Sequence, residues 1–287
     1  MKTIGESEIW SFYGTKSKVQ RITRATTVRS AAGHSVKSFL ELATKVAELQ
    51  FRNPDYVLMF RGQGGDHRNS KGNTTLKPSL FRSTRGSSHP PGMAILSSRY
   101  QALTMAETYL IREYKKAKML GVDRLERHRM LRWAILQHYE VCPTPLLDIT
   151  HSLRIAASFA SEKPAKKVFL YVLGIPNLSG AITASAEAGL QIIRLSSVCP
   201  PTAVRPHIQE GYLLGEYPEM VNYDQKELYG HYEIDFGRRL IAKFQFNPVT
   251  FWKGDAFPQV NHWALYPPEN QDPLFKLARR VKTLANC

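Results

Sequence analysis

Cysteine is scarce in this chain, with three in 287 residues, at Cys142, Cys199 and Cys287. An odd number spaced so far apart argues against a disulfide framework and a Cys-x-x-Cys metal site, and it fits a reducing cytoplasm. Long apolar runs are missing too. None approaches the roughly 20 residues that a membrane helix needs. Residues 1–10 lack the apolar core of a signal peptide. The expected location is therefore cytoplasmic, with no membrane partner. Acidic residues are few, 24 against 39 Lys and Arg, for a net charge of +15. Such a field attracts polyanions, among them nucleic acid, nucleotides or an acidic partner protein. The glycines after the first apolar strand form neither a dinucleotide-binding nor a P-loop pattern, and there is no internal repeat.

Hydrophobic residues make up 43% and mean hydropathy is −0.31, the values of a soluble globular chain with ample material for a core. Residues 1–34 read as a basic N-terminal arm, with Lys16, Lys18, Arg21, Arg24 and Arg29 among Ser, Thr and Gly. Trp10, Phe12 and Tyr13 are the rings that would dock it. Spacing predicts a helix over 35–50 capped by Ser35, then a strand over 56–60 that ends in Arg61-Gly-Gln-Gly-Gly65. A surface loop is expected over 66–98, broken by 76–81. Helices follow over 100–120 and 124–139. Later strands are expected near 166–173, 190–195, 205–214 and 239–246, with loop and a short helix over 177–190 and a closing helix over 275–284. Residues 215–236 combine six acidic groups with four tyrosines and read as an insertion or loop. Helices early and strands mostly late give an α+β class.

The most informative stretch is 131–160. A helical apolar face through Leu131, Ala134, Ile135 and His138 is broken by Pro143 and Pro145. A short apolar run, Leu146-Leu147, leads to Asp148, Thr150 and Ser152, oxygen-bearing residues where a new helix begins. Asp148 and Thr150 can be ordinary caps, and His138 a hydrogen-bonded core histidine. They can equally be polar groups of a site held between rigid elements. Arg61 has the same two readings. Its planar fork suits phosphate or carboxylate, or it tethers a loop to an acid such as Asp148. Gly62 lets a ligand or another backbone approach closely.

Two motifs resemble the FRG domain family. The first is Leu58-Met-Phe-Arg-Gly-Gln63 with Leu76-Lys-Pro-Ser-Leu-Phe-Arg82. The second is Gln137-His-Tyr, then Pro143-Thr144, then Leu146-Leu-Asp-Ile-Thr150 and the Ala-rich helix after it. A weaker match is Val204-Arg-Pro-His-Ile-Gln-Glu-Gly-Tyr-Leu213. Here Pro145 stands where the family usually has Arg, and Ile149 where it usually has Trp. After the basic arm, 1–34, the resemblance implies an FRG-type α+β domain, 35–287, with a mixed or antiparallel central sheet flanked by helices.

The first motif is also similar to the opening strand of the ADP-ribosyltransferase fold, where an aromatic-Arg pair holds NAD. That likeness implies NAD as co-substrate and no metal. Phe60, Arg61, Gly62, Gln63 and His138 would bind it, and Arg61, Asp148, Thr150 and Gln209 or Glu210 would act on it. The strict Ser-Thr-Ser strand of that fold is absent. Family habit implies a toxin or anti-phage defence effector, a protein or nucleic-acid acceptor, and an acidic partner or antitoxin. A second class stays open, a non-catalytic basic module that grips nucleic acid through charge and aromatic rings.

Overall fold

The computed structural model describes residues 8–16, 18–84, 89–176, 179–228, 234–254 and 256–286, and among these the chain builds ten strands, the longer ones from alternating or continuous apolar residues. In chain order these are β1 (Ile9–Ser11), β2 (Gln20–Ile22), β3 (His34–Ser35), β4 (Val57–Gln63) and β5 (Leu147–Thr150). They continue with β6 (Val168–Ile175), β7 (Ile182–Ser185), β8 (Leu190–Arg194), β9 (Gly211–Glu216) and β10 (Leu240–Phe246). The chain divides into two units. Unit 1 comprises Met1–Leu76, Ile149–Leu178 and Asp235–Leu265, and unit 2 comprises Lys77–Asp148, Ser179–Ile234 and Tyr266–Cys287. Cys287 and residues 229–233 of the acidic, tyrosine-rich segment lie outside the described residues.

Unit 1 is α+β, built on a mixed sheet in the order β3-β10-β6-β4-β5, flanked by helices. β3 runs parallel to β10, whereas β10, β6, β4 and β5 pair antiparallel. All eight residues of β6 are buried, as a central strand covered on both faces requires. Residues of the basic stretch from Glu8 onward contribute the β1–β2 hairpin and the helix Ala25–Ser30. Phe12 is buried against His34 and Phe244. The helix expected over 35–50 runs Phe39–Arg52 instead, because β3 claims Ser35. Ser38 is its cap and accepts from the Glu41 N–H, while the Glu41 carboxylate reaches back to the Lys37 N–H.

Charge is buried here in pairs. Arg29 meets Asp235, which also accepts from the N–H groups of Leu76 and Gly237. Lys243, 1% exposed in the middle of β10, donates to Asp66 at 2.9 Å and Thr74 at 2.8 Å. Burial pushes the Asp66 carboxyl up, but hydrogen bonds from Thr74 and Lys243 outweigh it and leave the group below the usual carboxylate range.

Unit 2 is mainly helical. The helices Met93–Lys116 and Pro273–Ala285 pack together, with Leu103, Leu110, Leu274 and Val281 in a core that also takes Trp133 and Leu136. The first begins seven residues before the expected start, since Leu96 and Tyr100 extend the same buried stripe. The helix expected over 124–139 is interrupted at His128, whose backbone is extended (φ −114°, ψ 105°). Arg132 satisfies the carbonyls freed at the break, donating to Leu125 O and Glu126 O at 2.8 and 2.9 Å. Strands β9, β8 and β7 form an antiparallel meander, so the described residues 179–190 hold the strand Ile182–Ser185 rather than the expected short helix. Residues 204–208 form a helix before β9, in place of the strand expected from residue 205. The acidic, tyrosine-rich segment contains the helix Tyr223–Leu228.

Candidate functional site

In unit 2 the helix Arg129–His138 ends on two polar residues, and the prolines turn the chain so that β5 starts beside them. The Gln137 amide N–H donates to Asp148 Oδ2 at 2.6 Å. Its carbonyl accepts from the Thr144 hydroxyl at 2.5 Å and from the Ser79 hydroxyl at 3.2 Å. The two hydroxyls thus fix which end of the amide faces the carboxylate. Ser79 belongs to the first sequence motif, while Gln137 and Thr144 belong to the second. A backbone bond from Leu80 N–H to Thr144 O adds to this tie.

His138 is 3% exposed, and its Nδ1 lies 3.9 Å from Asp148 Oδ1. Burial lowers its pKa, the Asp148 carboxylate opposes that, and the charge of Arg205 lowers it further, so the ring is neutral near pH 7. Its Nε2 is buried with no hydrogen-bond partner among the described residues. The Asp148 side chain is 39% exposed. Arg82, exposed at the surface, lies within electrostatic range of that carboxylate. The cluster is therefore a half-open carboxylate, oriented by an amide, backed by a neutral imidazole and within electrostatic range of a guanidinium. Such a carboxylate can stabilise a developing positive charge.

The other expected site residues divide between the units. Phe60, Arg61, Gly62, Gln63 and Thr150 fall in unit 1, and His138, Asp148, Gln209 and Glu210 in unit 2. Phe60 is buried and pairs with Thr150 across β4 and β5. Arg61 lies within β4 opposite Tyr171, not at the strand end, because β4 runs on to Gln63. Gly62 meets backbone, and a Cβ there would sit 1.8 Å from Ala156 O and 2.7 Å from Ala160 N of the helix Leu153–Ala160. The Gln63 side-chain oxygen is buried with no hydrogen-bond partner among the described residues. Thr150 Oγ1 accepts from the Ser152 N–H, and Ser152 caps the helix Leu153–Ala160. Gln209 is buried at the end of the helix Val204–Ile208. Glu210 is exposed in a left-handed conformation (φ 44°) just before β9.

Gln137 stands out in the sequence as one of the polar residues bracketing the buried segments, whereas Ser79, Thr144 and Arg82 stand there only as motif letters. A signal for the buried pairs of unit 1 was legible in Leu240-Ile-Ala-Lys-Phe-Gln-Phe246, where a lysine interrupts an apolar strand.

Residues 56–168 match the family model described as FRG domain. Comparison with curated proteins returns no match, and comparison with solved structures returns none.

Proposed function

Given that this chain carries an FRG domain over residues 56–168, we propose that it is an ADP-ribosyltransferase-like enzyme that uses NAD. The observation that carries this reading is the Asp148 carboxylate, half-exposed yet locked by Gln137 at 2.6 Å. Cleavage of the nicotinamide–ribose bond leaves the electron pair on nicotinamide nitrogen and builds an oxocarbenium-like ribose. Asp148 stabilises that cation. An acceptor nucleophile, or water, then bonds to the ribose carbon and releases its proton to solvent. Gln137 holds the carboxylate in one orientation, which keeps the reorganisation cost low. Arg82 supplies an anion contact for a phosphate of NAD. His138 stays neutral, so it adds no competing charge at the site. The acceptor is a protein or a nucleic acid, and the role is that of a toxic or defensive effector.

Incubation of the full chain with labelled NAD and a cell lysate tests the reading through transferred label or released nicotinamide. Asp148→Asn removes the charge but keeps the shape, and is expected to lower turnover at least about a hundredfold while the protein stays folded. Unchanged turnover in Asp148→Asn, or no NAD consumption by the wild type with any acceptor tried, ends the reading. The net charge of +15 favours the alternative, a non-catalytic nucleic-acid-binding module. That module would bind oligonucleotide indifferently to Asp148→Ala.

A further inference from the structure

We propose that unit 1 carries a docking surface for single-stranded nucleic acid, formed by the exposed rings of Phe257 and Trp263 and the cations of the neighbouring segments. The inference is independent of the NAD reading. Its first support is the uneven charge of the chain. Unit 1 holds 20 Lys and Arg against 9 Asp and Glu, a net +11, whereas unit 2 holds 19 against 15, a net +4. The buried pairs Arg29–Asp235 and Lys243–Asp66 cancel internally. The excess of unit 1 therefore lies among its remaining, more exposed groups.

The second support is where the rings are. Trp263 is 71% exposed and Phe257 43%. Phe257 lies against Phe39 with centroids 5.2 Å apart, and Phe39 stacks on Trp252 at 5.8 Å. The segment is held by polar contacts. The Trp252 indole N–H donates to Ser161 Oγ at 2.9 Å, the Val260 N–H donates to Ser158 Oγ at 3.0 Å, and His262 meets Glu162 at 3.0 Å. The exposed rings thus sit on a braced backbone, which lowers the ordering cost of binding.

Cations neighbour the ring-bearing segment or its contacts in sequence. Lys253 follows Trp252, and Lys163, Lys166 and Lys167 follow the Glu162 that holds His262; all four are exposed. Flat rings beside flexible cations supply what a single strand needs, π-faces for bases and charge for phosphates. A second copy of this chain fits less well, because two units of net +11 repel.

The test is fluorescence anisotropy of a labelled 20-nucleotide oligo(dT) with the full chain across salt concentrations. Wild type is expected to bind, with affinity falling steeply as salt rises. Trp263→Ala is expected to weaken binding roughly tenfold, the effect of one lost base stack, with an unchanged melting temperature because the ring is exposed. Lys163→Glu with Lys253→Glu is expected to weaken binding further and flatten the salt dependence. Equal affinity in Trp263→Ala, binding insensitive to both lysines, or no binding overturns the proposal. So does sedimentation showing that wild type dimerises and Trp263→Ala does not, which would assign the rings to a second copy.

Discussion

Two buried carboxylates, Asp235 in unit 1 and Asp272 in unit 2, are satisfied differently, although unit 2 also buries an ion pair, Glu107 with Arg132 at 2.7 Å. In unit 1, Asp235 is matched by Arg29 and Asp66 by Lys243. In unit 2, the wholly buried Asp272 is served by neutral donors, the Tyr139 hydroxyl at 2.9 Å and the N–H groups of Arg205, Leu274 and Phe275. A carboxylate spread over several neutral donors loses a fraction of its support when one is removed. A buried ion pair that loses its cation leaves an uncompensated charge, which commonly costs about 3–5 kcal/mol. The units differ in the same sense at their surfaces, where unit 1 holds most of the net positive charge.

The largest effect expected from any single change falls in unit 1. Gly62→Ala would drive a methyl group into the Ala156 carbonyl. The strand and helix cannot separate without losing their packing, so a loss of about 4 kcal/mol or more is expected, seen as failure to accumulate folded protein. A normal urea midpoint in this variant would show that the helix can shift and that the glycine is not a packing requirement.

Next come the buried carboxylates. Arg29→Ala should lower stability by about 3–5 kcal/mol in urea denaturation. Tyr139→Phe, which removes one of four donors to Asp272, should cost about 1–2 kcal/mol. Equal losses would erase the contrast between the two carboxylates.

Acid should act on both units through histidine. The folded pKa of His138 lies below the unfolded value, chiefly through burial, as does that of His34, where burial outweighs a backbone hydrogen bond to Gly14. The neutral rings therefore contribute stability present above about pH 6.5 and lost as pH falls through the folded pKa values. Melting temperature should drop between pH 7.5 and 5.5, and His138→Gln should flatten part of that slope. An undiminished slope would place the whole effect in unit 1. The smallest effect is Ser152→Ala, which removes the helix cap and should cost about 1 kcal/mol by thermal melting.

Much of the fold was legible in the sequence. The strands β6, β8 and β10 and the closing helix follow from apolar periodicity, because the side-chain period reports which face is buried. The site was legible in part. The motif letters located Gln137, His138 and Asp148, but the contact of Ser79 with Gln137 spans 58 residues and leaves no local signal. The break at His128 was hidden for a like reason. The residues around it have ordinary helix propensity, and it is Arg132 that answers the freed carbonyls.

Composition and local pattern alone determined the α+β class, the excess of positive charge, the scarcity of cysteine and the order of the motifs that resemble the FRG family, since each depends only on residue type and near neighbours. Tertiary structure decided what the ambiguous residues do. It turned Gly62 toward a helix backbone, joined Arg29 to Asp235 across 206 residues, and set the Asp148 carboxylate on the Gln137 amide. Such pairings arise where distant segments meet in the folded chain, and no short window of sequence contains both partners.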